Sequence, residues 1–283
     1  MQVKEFISIC QGKHIEELFQ FLKFPSVSTD PAFKTGILDC ANFLNNELKQ
    51  LGCQKVETLD TPGHPIVYAE RILDPSFPTI LVYGHYDVQP AKVSDGWDTD
   101  PFDPVIKNEK IYARGAADDK GQVWLQLKAI EYFNKYASDD LKVNLKFLYE
   151  GEEESGSENL DNFIVENEQM LACDVVLISD TSIIANNVPS ISVSKRGLAS
   201  LEVEVIGPNR DVHSGIYGGV LANPIVVLSQ IIATCRNVDG QVTIPGFYDN
   251  VQTFSTDQRA AFKQAHDLMT SYKDLAKDMN LSK

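Results

Sequence analysis

Four short segments of the sequence carry side chains that can hold a divalent cation. His85 and Asp87 sit in Gly84-His85-Tyr86-Asp87, and Asp118 and Asp119 precede Lys120-Gly121. Glu152, Glu153 and Glu154 follow Gly151, and Asp180 follows Ser179. One imidazole with several carboxylates suits zinc, manganese or cobalt better than the softer metals that thiolates select. Taken singly, each segment is ordinary. A His-x-Asp is a common loop pair, Asp-Asp before Lys-Gly reads as a turn or helix cap, and three glutamates in a row read as a solvated loop. The reading rests on where the elements place them together.

Those elements alternate. Ile37, Ala41, Leu44, Leu48 and Leu51 recur at helical spacing, and Val123, Leu127 and Ile130 mark a second helix after Lys120-Gly121. Ile80-Leu81-Val82-Tyr83 and Val175-Val176-Leu177-Ile178 are short apolar runs, the pattern of strands buried on both faces. Val143, Leu145 and Phe147 alternate with Asn144 and Lys146 in a third strand. Strands separated by helices predict an α/β fold, a mostly parallel sheet with helices on both faces. Ligands in such sheets bind beyond the carboxyl ends of the strands. The three strands end at His85, at the Glu152–Glu154 cluster and at Asp180, so the candidate ligands fall at one sheet edge.

The pattern changes near residue 185, giving an expected first domain over 1–185 and a second over 186–283. Leu201, Val203 and Val205 alternate with Glu202 and Glu204, which predicts a strand of a separate antiparallel sheet. Asn223-Pro224 predicts a capped helix start, with Ile225, Leu228 and Ile232 turned inward. Residues from Thr256 are polar and helix-prone.

Composition narrows the partners. The 283 residues carry 40 acidic against 25 basic side chains, a net charge of −15, and no Lys/Arg stripe, which argues against nucleic acid and anionic membranes. No apolar run reaches the roughly 18 residues of a spanning helix. Five scattered cysteines with no CxxC pair, and an N-terminus without a secretory pattern, predict reduced thiols and a cytoplasmic location.

The ordered motifs over about residues 14–251 resemble the M20 family of metallopeptidases, in its carnosinase-like and nonspecific dipeptidase branch. They are GHYDVQP at 84–90, DGWDTDPF at 95–102, YARGAADDKG at 112–121, EGEEESGS at 150–157, ISD at 178–180, DVHSGIYGG at 211–219 and IPGFYDNV at 244–251. The resemblance implies a zinc-peptidase-like catalytic domain followed by the first part of an α+β, ferredoxin-like lid and dimerisation domain. It implies hydrolysis of dipeptides or short peptides, with an N-acyl-amino-acid or succinyl-diaminopimelate-type amidohydrolase as the alternative, and a homodimer formed through the lid. A non-catalytic binding or dimerisation module is a further alternative.

The resemblance also assigns roles. Two divalent ions, zinc first with manganese or cobalt as alternatives, would share Asp118. His85 and Asp180 would complete one set of protein ligands, and Glu154 would bind the other ion. Asp87 would orient the His85 ring, and Glu153 would act as general base. Alignment on Ser155-Gly156-Ser157 leaves Glu152 a bystander, and the spacing from Arg114-Gly115 selects Asp118 over Asp119. In the family the peptide bond after that aspartate is cis. His213 would stabilise the oxyanion in the partner subunit's site. Family members continue beyond this length and add a further histidine ligand and a carboxylate-recognising segment, so the expectation here is an incomplete catalytic domain and doubtful activity for the chain alone. His266 lacks the flanking motif of that ligand, His14 reads as a surface residue, and His64 reads as a loop residue.

Overall fold

The structure, a computed structural model, describes residues 1–183, 185, 188–192 and 197–269. The chain divides into two compact units, Met1–Thr181 and Ser182–Lys283.

In the first unit, helices α1 (Val3–Leu22) and α2 (Lys34–Gln50) precede strands β1 (Lys55–Leu59), β2 (Ile66–Arg71) and β3 (Thr79–His85). A small hairpin, β4 (Val105–Lys107) with β5 (Lys110–Tyr112), leads to α3 (Lys120–Tyr136) and β6 (Asn144–Glu150). Helices α4 (Leu160–Glu166) and α5 (Glu168–Leu171) then lead to β7 (Val175–Ile178). The main sheet has the order β1-β2-β6-β3-β7. β3 pairs in parallel with both β6 and β7, while β2 is antiparallel to β1 and β6, so four of the five strands run one way.

Alternation along each strand feeds two cores, as the side-chain period of two requires. Val67, Ala69, Val82, Phe147 and Tyr149 pack under Ile37, Leu44, Val123 and Leu127 of α2 and α3. Ile66, Tyr68, Leu81 and Leu148 face Phe163 of α4 and Leu171 of α5. Helices therefore cover both faces, as the sequence predicts. Asn144 is buried at the start of β6 because its amide stands in for missing backbone partners: it accepts from the Leu73 and Asp74 amides and donates to the Asp74 and Phe77 carbonyls.

β7 departs from expectation. Its four apolar residues are 47–55% exposed instead of buried. Among the described residues it pairs only with β3, and neither core cluster includes a β7 residue.

The second unit, taken by itself, holds α6 (Ser214–Tyr217), α7 (Pro224–Thr234) and α8 (Thr256–Leu268). The predicted cap is present: Asn223 Oδ1 accepts from the Ile225 amide at 2.9 Å. Ser255 and Gln258 form a reciprocal capping box at the start of α8. Two expectations fail here. Residues 201–205 form no ladder, since a strand exists only where a partner takes its backbone hydrogen bonds and the described residues supply none. Ile225 and Ile232 of α7 are exposed, not turned inward, and Leu228 is only partly covered. No helix among the described residues is long and apolar enough to cross a membrane.

Candidate metal centre

Parallel pairing of β3 with β6 sets His85 opposite Glu150, and the shorter β7 ends beside Tyr83. The three strand ends therefore open onto one edge. The fourth contributor, the loop before α3, reaches that edge by folding back on itself. Gly115 has φ +83, and its carbonyl accepts from the Gly121 amide at 3.1 Å. A Cβ on Gly121 would lie 2.0 Å from the Ala116 carbonyl oxygen, so only glycine fits there. The peptide bond between Asp118 and Asp119 is cis.

His85, Asp118 and Asp180 come together, each offering a ligand atom within 4.8 Å of the others. His85 Nε2 lies 3.0 Å from Asp118 Oδ1. Behind the ring, His85 Nδ1 is 3.1 Å from the Asp87 carbonyl oxygen and 3.3 Å from Asp87 Oδ1. His85 and Asp87 are fully buried, whereas the Asp118 side chain is 59% exposed. Burial opposes a charge on His85, but the hydrogen bond and charge of Asp87, with Asp119 and Glu153 adding to them, lift its pKa to about 10. An imidazole held among carboxylates in this way needs a cation, supplied either by its own proton or by a metal.

The three glutamates separate cleanly. Glu152 turns aside, with both carboxylate oxygens taking the Asn159 side-chain amide at 3.1 and 2.9 Å. Glu153 Oε2 faces His85 Nε2 at 4.0 Å, and burial raises its pKa. Glu154 is outside the trio, and Gln89 Nε2 donates to its Oε2 at 2.8 Å. Asp87 also holds this loop, because its two oxygens accept the amides of Glu153 (3.2 Å) and Glu154 (3.0 Å). Asp119 is buried, accepts the His85 amide through Oδ2 at 3.2 Å, and leaves Oδ1 without a partner among the described residues. Burial pushes its carboxyl up to about 7.

Two glutamines that support this edge carry no mark in the sequence. Gln126 Nε2 donates to Ser179 Oγ and to the Tyr83 carbonyl, and Gln122 Oε1 accepts the Thr181 amide. Spaced one helical turn apart on α3, they hold the segment that carries Asp180. Only their i, i+4 spacing could have hinted at a shared target.

His213, in the second unit, caps α6, its Nδ1 accepting from the Gly215 amide at 2.9 Å. That bond leaves the proton of the neutral ring on Nε2. His266 is exposed and pairs with Asp267 at 3.6 Å. His64, a loop residue as expected, contacts the Ser28 carbonyl at 2.9 Å.

His14 is not the surface residue expected. Its side chain is only 13% exposed, packed edge-on against Phe6, with Nε2 3.5 Å from Glu131 Oε2. With Glu17 and Glu131 it makes a second trio within 4.8 Å. Lys128 Nζ occupies the middle of this group, 2.9 Å from Glu17, 3.1 Å from Glu131 and 3.7 Å from Glu47. The stripe of α1 that carries His14 is covered by α3, which periodicity within α1 does not reveal.

A mostly parallel α/β sheet that gathers an imidazole and carboxylates at its carboxyl edge defines a class, an α/β protein with the donor set for a divalent metal ion. The particular family follows from comparison with known proteins. The chain belongs to peptidase family M20/M25/M40, whose model matches residues 81–280. The Cys-Gly metallodipeptidase DUG1 of Candida albicans is 39% identical over 255 residues, covering 84% of this chain and 52% of that protein. The Beta-Ala-His dipeptidase of Mus musculus is 30% identical over 285 residues, covering 95% of this chain and 58% of that protein. The crystal structure of an M20 family metallo-carboxypeptidase from Sulfolobus solfataricus superposes with a TM-score of 0.76 at 33% identity, over 95% of this chain and 60% of that one. The chain thus spans about half the length of the curated relatives it matches.

Proposed function

We infer that the chain carries the metal centre of a dipeptidase that hydrolyses the peptide bond of dipeptides in the cytoplasm. The observation that carries this reading is the His85–Asp118–Asp180 trio, with Asp87 behind the imidazole and Glu153 beside it. His85, Asp118 and Asp180 would hold one ion, and Asp118 with Glu154 the other, with zinc in both positions. Bound metal supplies Lewis acidity, polarising the scissile carbonyl and making a water acidic enough to attack. Asp87 accepts the Nδ1 proton of His85 and so keeps the Nε2 lone pair directed at the site. Glu153 lies at the site with no lysine partner among the described residues; it takes the proton of the attacking water and returns it to the leaving amine. The second unit serves as a lid and dimerisation domain, and His213 offers its Nε2 proton to the developing oxyanion in the partner subunit's site.

Elemental analysis of the purified chain, with hydrolysis of Cys-Gly, β-Ala-His and an N-acetyl-amino acid, tests the reading. One tightly bound ion per chain is expected, because the second set has only two protein ligands among the described residues and zinc sites usually have three or more. Glu153→Gln should remove roughly 100-fold or more of whatever dipeptide turnover the chain shows, with metal content unchanged. Equal metal loss in Glu153→Gln and Glu154→Gln would reverse the two roles. The likeness to a metallo-carboxypeptidase supports one other reading, which longer peptides in the same panel distinguish: trimming them as fast as dipeptides would favour a carboxypeptidase.

A further inference from the structure

Glu150 is a buried carboxylate that the proposed chemistry does not use. It is the last residue of β6, only 2% exposed, and it stands opposite His85 in the parallel ladder. Its backbone carbonyl accepts the Tyr86 amide at 2.9 Å, which ties it to the strand that delivers His85. Its Oε1 accepts from Tyr83 Oη at 2.5 Å and from Ser157 Oγ at 2.9 Å.

Ser157 is the far end of the segment that holds all three glutamates. It has φ +52, a left-handed conformation that side chains other than glycine adopt at a cost. Its amide bonds back to the Glu152 carbonyl at 2.9 Å, so the segment closes as a small ring. The ring is held along its length: Gln89 Nε2 donates to the Glu154 carbonyl at 3.1 Å, and Asn159 Nδ2 donates to the Glu152 carboxylate. Asp87 takes the Glu153 and Glu154 amides at its middle, and Glu150 takes the Ser157 hydroxyl at its end. Of these bonds, the one from Glu150 ties the far end of the ring to β6, the strand beside β3, so its loss lets that end shift and move Glu153 relative to His85.

We propose that Glu150 is a positioning residue for Glu153 and Glu154. Its carboxylate grips Ser157 and fixes the far end of the glutamate loop to β6. The inference deepens the metal-centre reading above and rests on it for its consequence, but the grip is measurable without metal.

Amide hydrogen exchange on the full 283-residue chain reads the loop directly. Glu150→Ala should speed exchange of the Glu153 and Glu154 amides by about 10-fold while Val82, in the middle of β3, is unchanged. Ser157→Ala removes the hydroxyl from the other side of the same bond, leaves the buried carboxylate in place, and should give a smaller acceleration at the same two amides. Glu150→Gln keeps an acceptor oxygen at the same place and should restore near-normal exchange. Titration with cobalt(II), followed by its visible absorption, should then show Glu150→Ala binding with an altered spectrum and Glu150→Gln resembling the parent. Unchanged exchange at Glu153 and Glu154 in both Glu150→Ala and Ser157→Ala would overturn the proposal. So would acceleration spread equally over β3, which would mean a general loss of stability. If the parent chain binds no cobalt, the metal-centre reading fails, while the exchange result still decides the role of Glu150.

Discussion

Two clusters in the first unit combine an imidazole with carboxylates at metal-ligand spacing, and they differ in where the opposing charge comes from. Around His14 the charge is built in. Glu17 pairs with Lys13 and Lys128, Glu131 with Lys128 and Lys135, and Glu47 approaches Lys128. Three carboxylates meet three ammonium groups, and Lys128 also sits 3.9 Å above the Trp124 ring, a favourable place for a cation. Around His85, among the described residues, neither Asp118, Asp180, Glu153 nor Glu154 pairs with a lysine or arginine. The neighbouring Lys120 directs its ammonium to the Phe24 carbonyl instead. Spacing alone does not separate a metal site from a structural ion network. Charge balance does: the carboxylates around His14 already have lysine partners, whereas those that converge on the buried His85 ring have none among the described residues and gain by binding a cation.

The largest effect expected from this contrast concerns metal. His85→Ala should weaken divalent metal binding by at least the ~100-fold that losing even an outer partner can cost. His14→Ala should leave it unchanged. Elemental analysis of the two variants beside the parent reads both, and metal loss in His14→Ala would erase the distinction.

Removing the resident cation should sharpen it. Lys128→Met keeps much of the packing against Trp124 but leaves Glu47 without a cation and Glu17 and Glu131 with one lysine each, Lys13 and Lys135, and should cost about 3 kcal/mol in urea unfolding, as breaking a buried pair does. The same variant should gain weak affinity for a divalent ion at the His14 group, seen as an added equivalent of cobalt. A variant with parental stability would mean that the network is not coupled to folding.

The sequence disclosed the edge that carries His85, Asp118 and Asp180 better than the surfaces around it, for a physical reason. Strand ends such as Gly84-His85 and Ile178-Ser179-Asp180 carry their signal locally, in apolar runs that stop at polar residues. Burial of β7 and of the α7 stripe is a property of the neighbour, and an apolar pattern reads the same with or without one. His14 is the converse, a residue in a polar stretch of α1 that α3 covers from more than 100 positions away. Gln122 and Gln126 were illegible because their partners, Ser179 and Thr181, are neighbours only after β7 docks beside β3.

Acid should separate the network from its surroundings more gently. Burial opposes a charge on Glu131, but hydrogen bonds from Lys135 and Lys128 outweigh it and hold the carboxyl down to about 2, below its ordinary 4.5. The folded state therefore favours the ionised form. The stability it contributes is complete above about pH 4.5 and is lost as pH falls toward about 2. Glu131→Gln should be less stable at neutral pH and show a flatter decline across that window. A parallel decline in both proteins would assign the acid sensitivity to other carboxylates.

The smallest expected effect tests the imidazole itself. Burial lowers the pKa of His14 from its ordinary 6.5, opposed by the charge of Glu131, so the folded state favours the neutral ring. Its contribution is complete above about pH 6.5 and fades as pH falls through the lower folded-state value. At alkaline pH the ring is a packing element against Phe6, with Nε2 buried and without a hydrogen-bond partner among the described residues. His14→Phe preserves an aromatic ring, removes the orphaned nitrogen and abolishes the titration. At pH 8 its stability should match the parent or exceed it by up to about 1 kcal/mol, the low end of what an unsatisfied buried polar atom costs. Between pH 6.5 and 5 it should decline less than the parent. Urea unfolding at these three pH values is sufficient. A His14→Phe protein destabilised by several kcal/mol at pH 8 would mean that the imidazole holds the network through a bond or an ion that only nitrogen can bind, and the two clusters would then be alike.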